Sequence, residues 1–543
     1  MPKLFLNRDL IFKKREDCYY VYNNRTGSFF YGDEELWRFL KSFRSGRELD
    51  TLKREPSFPK WNKLLPKLIG TKYLLFEARS EIKQYLNFFP TRTFYTVYYE
   101  HEGGTDVAVH RIGLHGVIDF EIFTFKGTTE TLWNLCNGNN TLQQLISFFV
   151  ENTGDDYGAV KYTIFEKMSE WTSLDTQILR LLPQPLLSYE TIPLHLLSPA
   201  PFIPSLKVSP SKQVKDTRRY HISGIDEGYD QFERVESTLS HIYRVPHPIL
   251  GGKSYGEAFL SRLSELKPME EGCRVLEIGG GHGDISKEIL VALKEKKPDI
   301  SSTLTYIIYD LSPELIKSQR RLHNEAGVHV EHIHGDAESL ALADASVDII
   351  LSNEVIADFP TPELSLRDLK RLLNKYGIPI NQQFLDSLKD APERFRLNLG
   401  AFRLLKEIQR VLKPGGIAIV TEYGYRDRLP FRAKHLDHAE YSIHFGQMVS
   451  IAEELGVKVR LTDAFKFLDF QLGVELITHP SFQAAFRILE HHGIHLPNIV
   501  YTKELLREQI GEKADSMKNI KFAKATKDPI EMVKVLICEK PAA

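Results

Sequence analysis

The chain carries 543 residues, 42% of them hydrophobic and 26% charged, with a formal net charge of -2. That length exceeds what one hydrophobic core serves, so at least two domains are expected, and the ordinary apolar and charged fractions exclude a disordered chain or a membrane-embedded body. A near-zero net charge gives no global electrostatic reason to favour nucleic acid or an anionic membrane as partner.

Four cysteines, Cys18, Cys136, Cys273 and Cys538, show neither CxxC pairing nor zinc-finger spacing, so no disulfide framework and no metal ligand set is expected. The N-terminal MPKLFLNRDLIFKKRED lacks the continuous apolar region of a signal peptide. No later run is long and uncharged enough to span a bilayer, which makes a cytoplasmic address the default expectation.

From the N-terminus, CYYVYNNRTGSFFYG reads as two strands around an Asn-Arg-Thr-Gly turn, and DEELWRFLKSFRSGRELDTL as helix interrupted near Gly46. The same rhythm returns in VAVHRIGLHGVIDFEIFTFKG followed by TTETLWNLCNGNNTLQQLISFFVEN, with Trp133 where Trp37 stood and Gly138 where Gly46 stood. Residues 1–90 and 91–190 are therefore expected to be one small α+β unit used twice, with shared architecture by chance as the alternative. The hairpins, LWRFLKSFRSG and LWNLCNGNNTLQQL, and the segments Trp61 to Leu75 and Tyr162 to Leu182, resemble the PqqD-like domain, the recognition element for precursors of ribosomally made, modified peptides. That resemblance implies two winged-helix-like units in which a leader peptide adds a strand to a sheet edge, and hence a peptide or protein partner such as a ribosomal precursor peptide. The alternative is a winged-helix-like scaffold for packing or for a homodimer.

TIPLHLLSPAPFIPSLKVSP, from Thr191 to Pro210, disfavours helix and central strand alike and marks the main boundary, with a connector and lead-in over 191–245. CRVLEIGGGHGDISKEILVAL, from Cys273 to Leu293, then reads as strand, glycine loop and helix, with Gly279, Gly281 and Gly283 letting backbone pass close to a ligand. A GxGxG loop alone suits a dinucleotide equally well. LTYIIYDLSPELIKSQRRL adds a strand ending in Asp310, suited to ribose hydroxyls, and VHVEHIHGDAESLALADASVDIILSNEV adds two more strands with Gly335 and Asp336 between them.

EIQRVLKPGGIAIVTEYGY, a helix, a KPGG turn and a fifth strand, resembles class I methyltransferases. The resemblance implies an α/β, Rossmann-like domain over 246–543 that holds S-adenosylmethionine. Glu277 would engage the amino acid portion, Asp310 the ribose and Asp336 the adenine amino group; Asp284, Leu311, Ala337 and Asn353 complete the cofactor set. EIGGGHGDISKEIL, YDLSPELIKSQRRL, SNEVIADFP, VTEYGY, EYSIHFGQMVSIAEELG and the closing MVKVLICEK further resemble the MidA-like family, whose members include a respiratory complex I assembly factor that methylates protein arginine. HPILGGKSYGEAFLSRL loosely resembles the segment with which that family covers its cofactor. Glu422 stands where the family favours Asp, His444 where it usually has Asp, and a helical insertion near 361–395 is particular to this chain.

Methyl transfer from a sulfonium is an in-line displacement that asks mainly for alignment and a free lone pair. Asn353, Glu354, Asp358 and Glu422, at expected strand ends, are the candidates for orienting an arginine acceptor, Glu354 first. His444 is a candidate base for a less basic acceptor, with a structural histidine as the alternative. The expected function is methylation of a peptide or protein side chain or backbone nitrogen; the alternatives are a small-molecule methyltransferase capped by its first third, and a cofactor-binding assembly protein without turnover.

Overall fold

The computed structural model describes residues 2–15, 18–78, 81–93, 97–112, 118–173, 176, 178–186, 217–219, 221–222, 237–435, 438–527 and 530–542. The expected proline-rich boundary at 191–210 lies outside the described residues. The chain forms two compact units, Met1–Pro210 with Ile477–Leu496 and Lys503–Phe522, and Ser211–Leu476 with Pro497–Thr502 and Ala523–Ala543. Two segments assigned by sequence to the 246–543 domain thus belong to the first unit. The physical reason is apolar: helix His479–His491 buries Phe482, Ala485, Phe486 and Leu489, and it packs on strands Val97–His101 and Gly104–Ile112 of that unit.

Within the first unit, two stretches run through a similar element order. Strand Lys3–Leu6 pairs with Leu74–Leu75 and Arg47–Glu48, and the first stretch holds a three-stranded meander and helices Glu34–Lys41, Leu49–Lys53, Phe58–Trp61 and Leu65–Gly70, one short strand and one helix more than the second. Strand Phe89–Arg92 pairs with Leu179–Leu182, and between them lie strands Val97–His101, Gly104–Ile112 and Ile118–Phe125 and helices Thr128–Leu135, Leu142–Thr153 and Tyr157–Trp171. Gly46 and Gly138 have matching φ of +81° and +83°. A Cβ on the first would strike Phe5 at 2.3 Å and on the second Thr91 at 2.9 Å, each in the opening strand of its stretch, so both positions need the left-handed backbone and the missing side chain. The tryptophans diverge: Trp133 is fully buried, stacked on Phe125 at 5.1 Å, whereas Trp37 is half-buried under the Lys41 ammonium at 4.2 Å.

The second unit is built on a mainly parallel sheet. Its strands are β1 (Arg274–Ile278), β2 (Thr305–Asp310), β3 (Glu331–His334), β4 (Val347–Asn353), β5 (Leu412–Tyr425), β6 (Lys458–Asp463) and β7 (Val533–Glu539). They lie in the order β3-β2-β1-β4-β5-β7-β6, with β7 antiparallel to both neighbours. Helices α1 (Asp284–Lys296), α2 (Pro313–Ala326) and α3 (Leu399–Val411) supply crossovers. Buried-strand runs such as VLEI, YIIYD and IAIV are continuous because both faces are covered. One core gathers Leu276, Ile307, Ile350 and Phe402, and the other gathers Val275, Ile289, Ile349 and Phe259. The 361–395 insertion joins the former through Leu369, Leu373, Phe384 and Phe395. Strand order reverses between β1 and β4, which opens a crevice at their carboxyl ends.

Candidate active site

A cavity of about 800 Å³ opens at that reversal. It gathers Glu277, Gly279, Gly281, Asp284, Asp310, Leu311, Asp336, Ala337, Asn353, Glu354, Asp358 and Glu422 from the sequence-derived set. At the loop after β1, Gly279 (φ +67°) has no room for a side chain, since a Cβ would meet Val355 at 2.5 Å. Gly281 (φ +52°) has the opposite surroundings: a Cβ there would meet nothing within 4 Å, leaving backbone bare to the cavity. Gly283 caps α1, whose first residue is Asp284, so the positive end of a helix faces the ligand space.

Asp310, at the end of β2, is buried, and burial pushes its carboxyl up. Its Oδ2 accepts from Gly280 N at 3.1 Å and Gln319 Nε2 at 2.9 Å, and Oδ1 accepts from Ser312 N at 2.9 Å. This fixes the carboxylate and leaves acceptor capacity on Oδ1 for a sugar hydroxyl. Glu277 accepts from the Tyr306 hydroxyl at 3.0 Å and is pushed up to about 7 by burial, a state that an ammonium beside it would reverse. Asp336 accepts from Glu338 N at 3.0 Å and pairs with Arg218 at 2.8 Å, beside the apolar Ala337 and Leu311 that suit a purine. At Asp284, burial raises the carboxyl, but His241, 3.3 Å away, and the charges of Lys287 and Arg244 together outweigh it and hold it low. The bare loop, the helix N-terminus and the fixed carboxylates fit a nucleoside with an amino acid tail.

At the other end, Asn353 Oδ1 accepts from Tyr255 at 2.7 Å and Thr421 at 2.6 Å, which pins its amide. Glu354 adopts φ +52°, a strained conformation for a non-glycine residue, and its Oε1 accepts from Leu239 N at 2.9 Å. Glu422 accepts from Tyr423 N at 2.8 Å and Ala357 N at 3.0 Å, yet burial first and then the charges of Glu440 and Glu354 raise its carboxyl well above the usual range. Asp358 stands between two imidazoles: Oδ2 lies 3.1 Å from His221 Nε2, and Oδ1 lies 2.9 Å from His438 Nε2. Burial raises its carboxyl, but the two rings together hold it far below the usual carboxylate range.

His444 is not among the cavity-lining residues. It is buried, its Nδ1 accepts from Gln447 N at 3.3 Å to cap helix Phe445–Glu454, and burial lowers it to about 4. An uncharged capping imidazole enclosed in this way holds the helix start rather than meeting an acceptor. Sequence reasoning missed Arg218, His221, His438 and Glu440, which also line the cavity. The first two come from the segment read as a lead-in and the last two from the strand His438–Tyr441, and no local spacing marks any of them.

A family model described as a methyltransferase domain matches residues 269–453. A fatty-acid O-methyltransferase of Mycolicibacterium smegmatis is 33% identical over 107 residues, 20% of this chain and 35% of the relative. A ubiquinone biosynthesis O-methyltransferase of Xanthomonas axonopodis pv. citri is 32% identical over 127 residues, 23% of this chain and 47% of the relative. The chain therefore spans less than half the length of these curated relatives. Among solved structures, Haemonchus contortus phosphoethanolamine N-methyltransferase 2, in complex with phosphomonomethylethanolamine and S-adenosylhomocysteine, is similar with a TM-score of 0.30 and 16% identity, covering 58% of this chain and 60% of that one. Residues 269–453 are a Rossmann-like methyltransferase domain, and its cofactor is S-adenosylmethionine.

Proposed function

We propose that this protein methylates a nitrogen of a peptide or protein, an arginine side chain foremost, at the acidic end of the cavity. The observation that carries this reading is the meeting of Glu354, Asp358, Glu422 and Glu440 around one space. Burial and then the charges of Glu440 and Glu354 raise Glu422, and a guanidinium bound bidentately beside it would offset that repulsion. S-adenosylmethionine, when bound, would supply an electrophilic methyl group for in-line displacement. Asn353 and Glu354 would fix the acceptor's approach, and the pair of imidazoles held by Asp358 would take the proton that nitrogen loses. The first unit would hold the rest of the peptide. In support, strand Ile118–Phe125 stands at the end of its four-stranded sheet and is paired on one side only among the described residues, the kind of edge a bound peptide would extend.

A second reading is favoured by the two imidazoles on Asp358: a hydroxyl acceptor, deprotonated by His221, would suit the activities named for the O-methyltransferase relatives. Purified chain incubated with methyl-labelled S-adenosylmethionine, arginine-containing peptides, fatty acids and quinols separates them. Label on peptide nitrogen is the expected result. Label only on fatty acid or quinol oxygen overturns the first reading in favour of the second, and cofactor uptake without any labelling would point to an assembly role without turnover.

A further inference from the structure

A second cluster of imidazoles and carboxylate lies in the first unit, apart from the cofactor cavity's own residues. His101 ends strand Val97–His101, Asp106 lies on the next strand of the same hairpin, and His492 is the residue that caps the C-terminal end of helix His479–His491. One potential ligand atom from each lies within 4.8 Å of the other two. His492 Nε2 is 2.6 Å and His101 Nε2 3.5 Å from the same oxygen, Asp106 Oδ2.

We propose that His101, Asp106 and His492 bind a divalent transition ion of the zinc type. Two features separate this cluster from a plain hydrogen-bonded pair. His101 Nε2 is buried and has no aligned hydrogen-bond acceptor among the described residues, although its ring is directed into the cluster. Both rings also converge on one carboxylate oxygen instead of taking one each, which is poor use of hydrogen-bonding capacity but good placement for donors around a cation.

The distances suit an ion. Zinc-to-nitrogen and zinc-to-oxygen bonds of about 2.0–2.1 Å in a tetrahedron set donor atoms about 3.3 Å apart, so adjustments of less than about 1 Å would bring the two measured separations to that value. Asp106 is 2% exposed, while the His101 and His492 side chains are 22% and 25% exposed, so the buried carboxylate anchors the site and water has a route to a fourth position. Two imidazole nitrogens and one oxygen favour zinc, cobalt or nickel over magnesium or calcium, which take oxygen donors. His101 Nδ1 accepts from Gly103 N at 3.1 Å; capture of an ion by Nε2 moves the ring proton to Nδ1 and exchanges that exposed contact for water. Tyr99, stacked on His101 at 5.6 Å and edge-on to His492 at 5.0 Å, restricts both rings. The site would clip helix His479–His491 to a hairpin nearly four hundred residues earlier in the chain, with the partners 386 positions apart.

The test uses the full chain, stripped of metal by a chelator and titrated with zinc chloride and cobalt chloride. His101→Phe keeps a ring against Tyr99 and removes the ligand, Asp106→Asn weakens the anchor, and His438→Phe controls for uptake by the other histidine pair. One equivalent of zinc is expected in wild type and in His438→Phe but not in His101→Phe or Asp106→Asn, with a cobalt ligand-field band lost in the same two variants. Zinc should also raise the melting temperature of wild type and leave that of His101→Phe unchanged. Absence of uptake in wild type, or uptake unaltered by His101→Phe, overturns the proposal. Should that variant fail to fold, X-ray absorption of zinc-loaded wild type decides: a nitrogen- and oxygen-bound tetrahedral ion accompanied by loss on Asp106→Asn supports the site, and a sulfur-bound or fully hydrated ion refutes it.

Discussion

Asp358 and Asp106 are each flanked by two imidazoles, but the pairs are built differently. At Asp358 every oxygen has its own ring, 3.1 Å and 2.9 Å away, so both imidazoles are oriented by well-made hydrogen bonds and the carboxyl stays ionised. At Asp106 both rings crowd one oxygen, and His101 Nε2 is left without an aligned acceptor. The first arrangement holds imidazoles in a fixed tautomer beside a ligand cavity, which is what moving a proton requires. The second crowds two ring nitrogens onto one oxygen, an arrangement that a cation would relieve by replacing the ring proton on His101 Nε2. Under the two proposals, the same two histidines and one aspartate serve different chemistry according to which oxygen each ring meets.

The largest expected effect tests that contrast directly. Asp358→Asn should lower kcat for methyl transfer about 100-fold or more, within the range typical of acid–base groups, while Asp106→Asn changes it less than twofold. Equal losses in steady-state assays of the two variants would erase the distinction. Next comes the cofactor loop: Gly281→Val imposes a left-handed conformation on a branched residue and fills the bare space beside the nucleoside. Calorimetry should show S-adenosylmethionine bound about 5- to 150-fold more weakly, the equivalent of about 1–3 kcal/mol, with zinc uptake unchanged.

A smaller effect concerns protons. Burial raises Glu277 to about 7, so without cofactor the folded chain keeps a proton there between its ordinary value and about pH 7 while the unfolded chain has lost it. This contribution to stability is therefore full at acid pH and declines as pH rises through that window. Glu277→Gln should flatten this part of the melting-temperature profile. Cofactor binding near pH 6.5 should release a proton in wild type, seen as a buffer-dependent heat, and not in the variant. The smallest effect is at His444: His444→Asn, which can still cap, should leave kcat within twofold, and His444→Ala should cost about 1–2 kcal/mol in denaturant unfolding.

The cofactor half of the site was legible because its geometry is local. A strand, three glycines at alternate positions and acids at successive strand ends all lie in order along the chain, and the crevice they line follows from parallel-sheet topology. The acceptor half was only partly legible. Glu354 directly follows β4 as expected of a strand end, but Asp358 closes the short helix Ile356–Asp358, Glu422 lies within β5, and the imidazoles that define Asp358 come from residues 80 and 137 positions away. His444 carried a plausible side chain at a plausible place, and its burial at a helix start was visible only in three dimensions. In the first unit, helix His479–His491 could not be placed from periodicity, since an amphipathic stripe does not say which surface it will cover. The run HHGIH after it held a usable signal, but its carboxylate partner is a lone strand residue far upstream.

One feature of the sheet bears on how the protein is made. β7 comes last in sequence but lies between β5 and β6, hydrogen-bonded to both. During translation those two earlier strands must wait with unpaired edges until residues 533–539 leave the ribosome. A nascent chain stalled before that point would expose the apolar flanks of β5, making it a natural client for a chaperone and a poor candidate for cofactor uptake before synthesis reaches that strand.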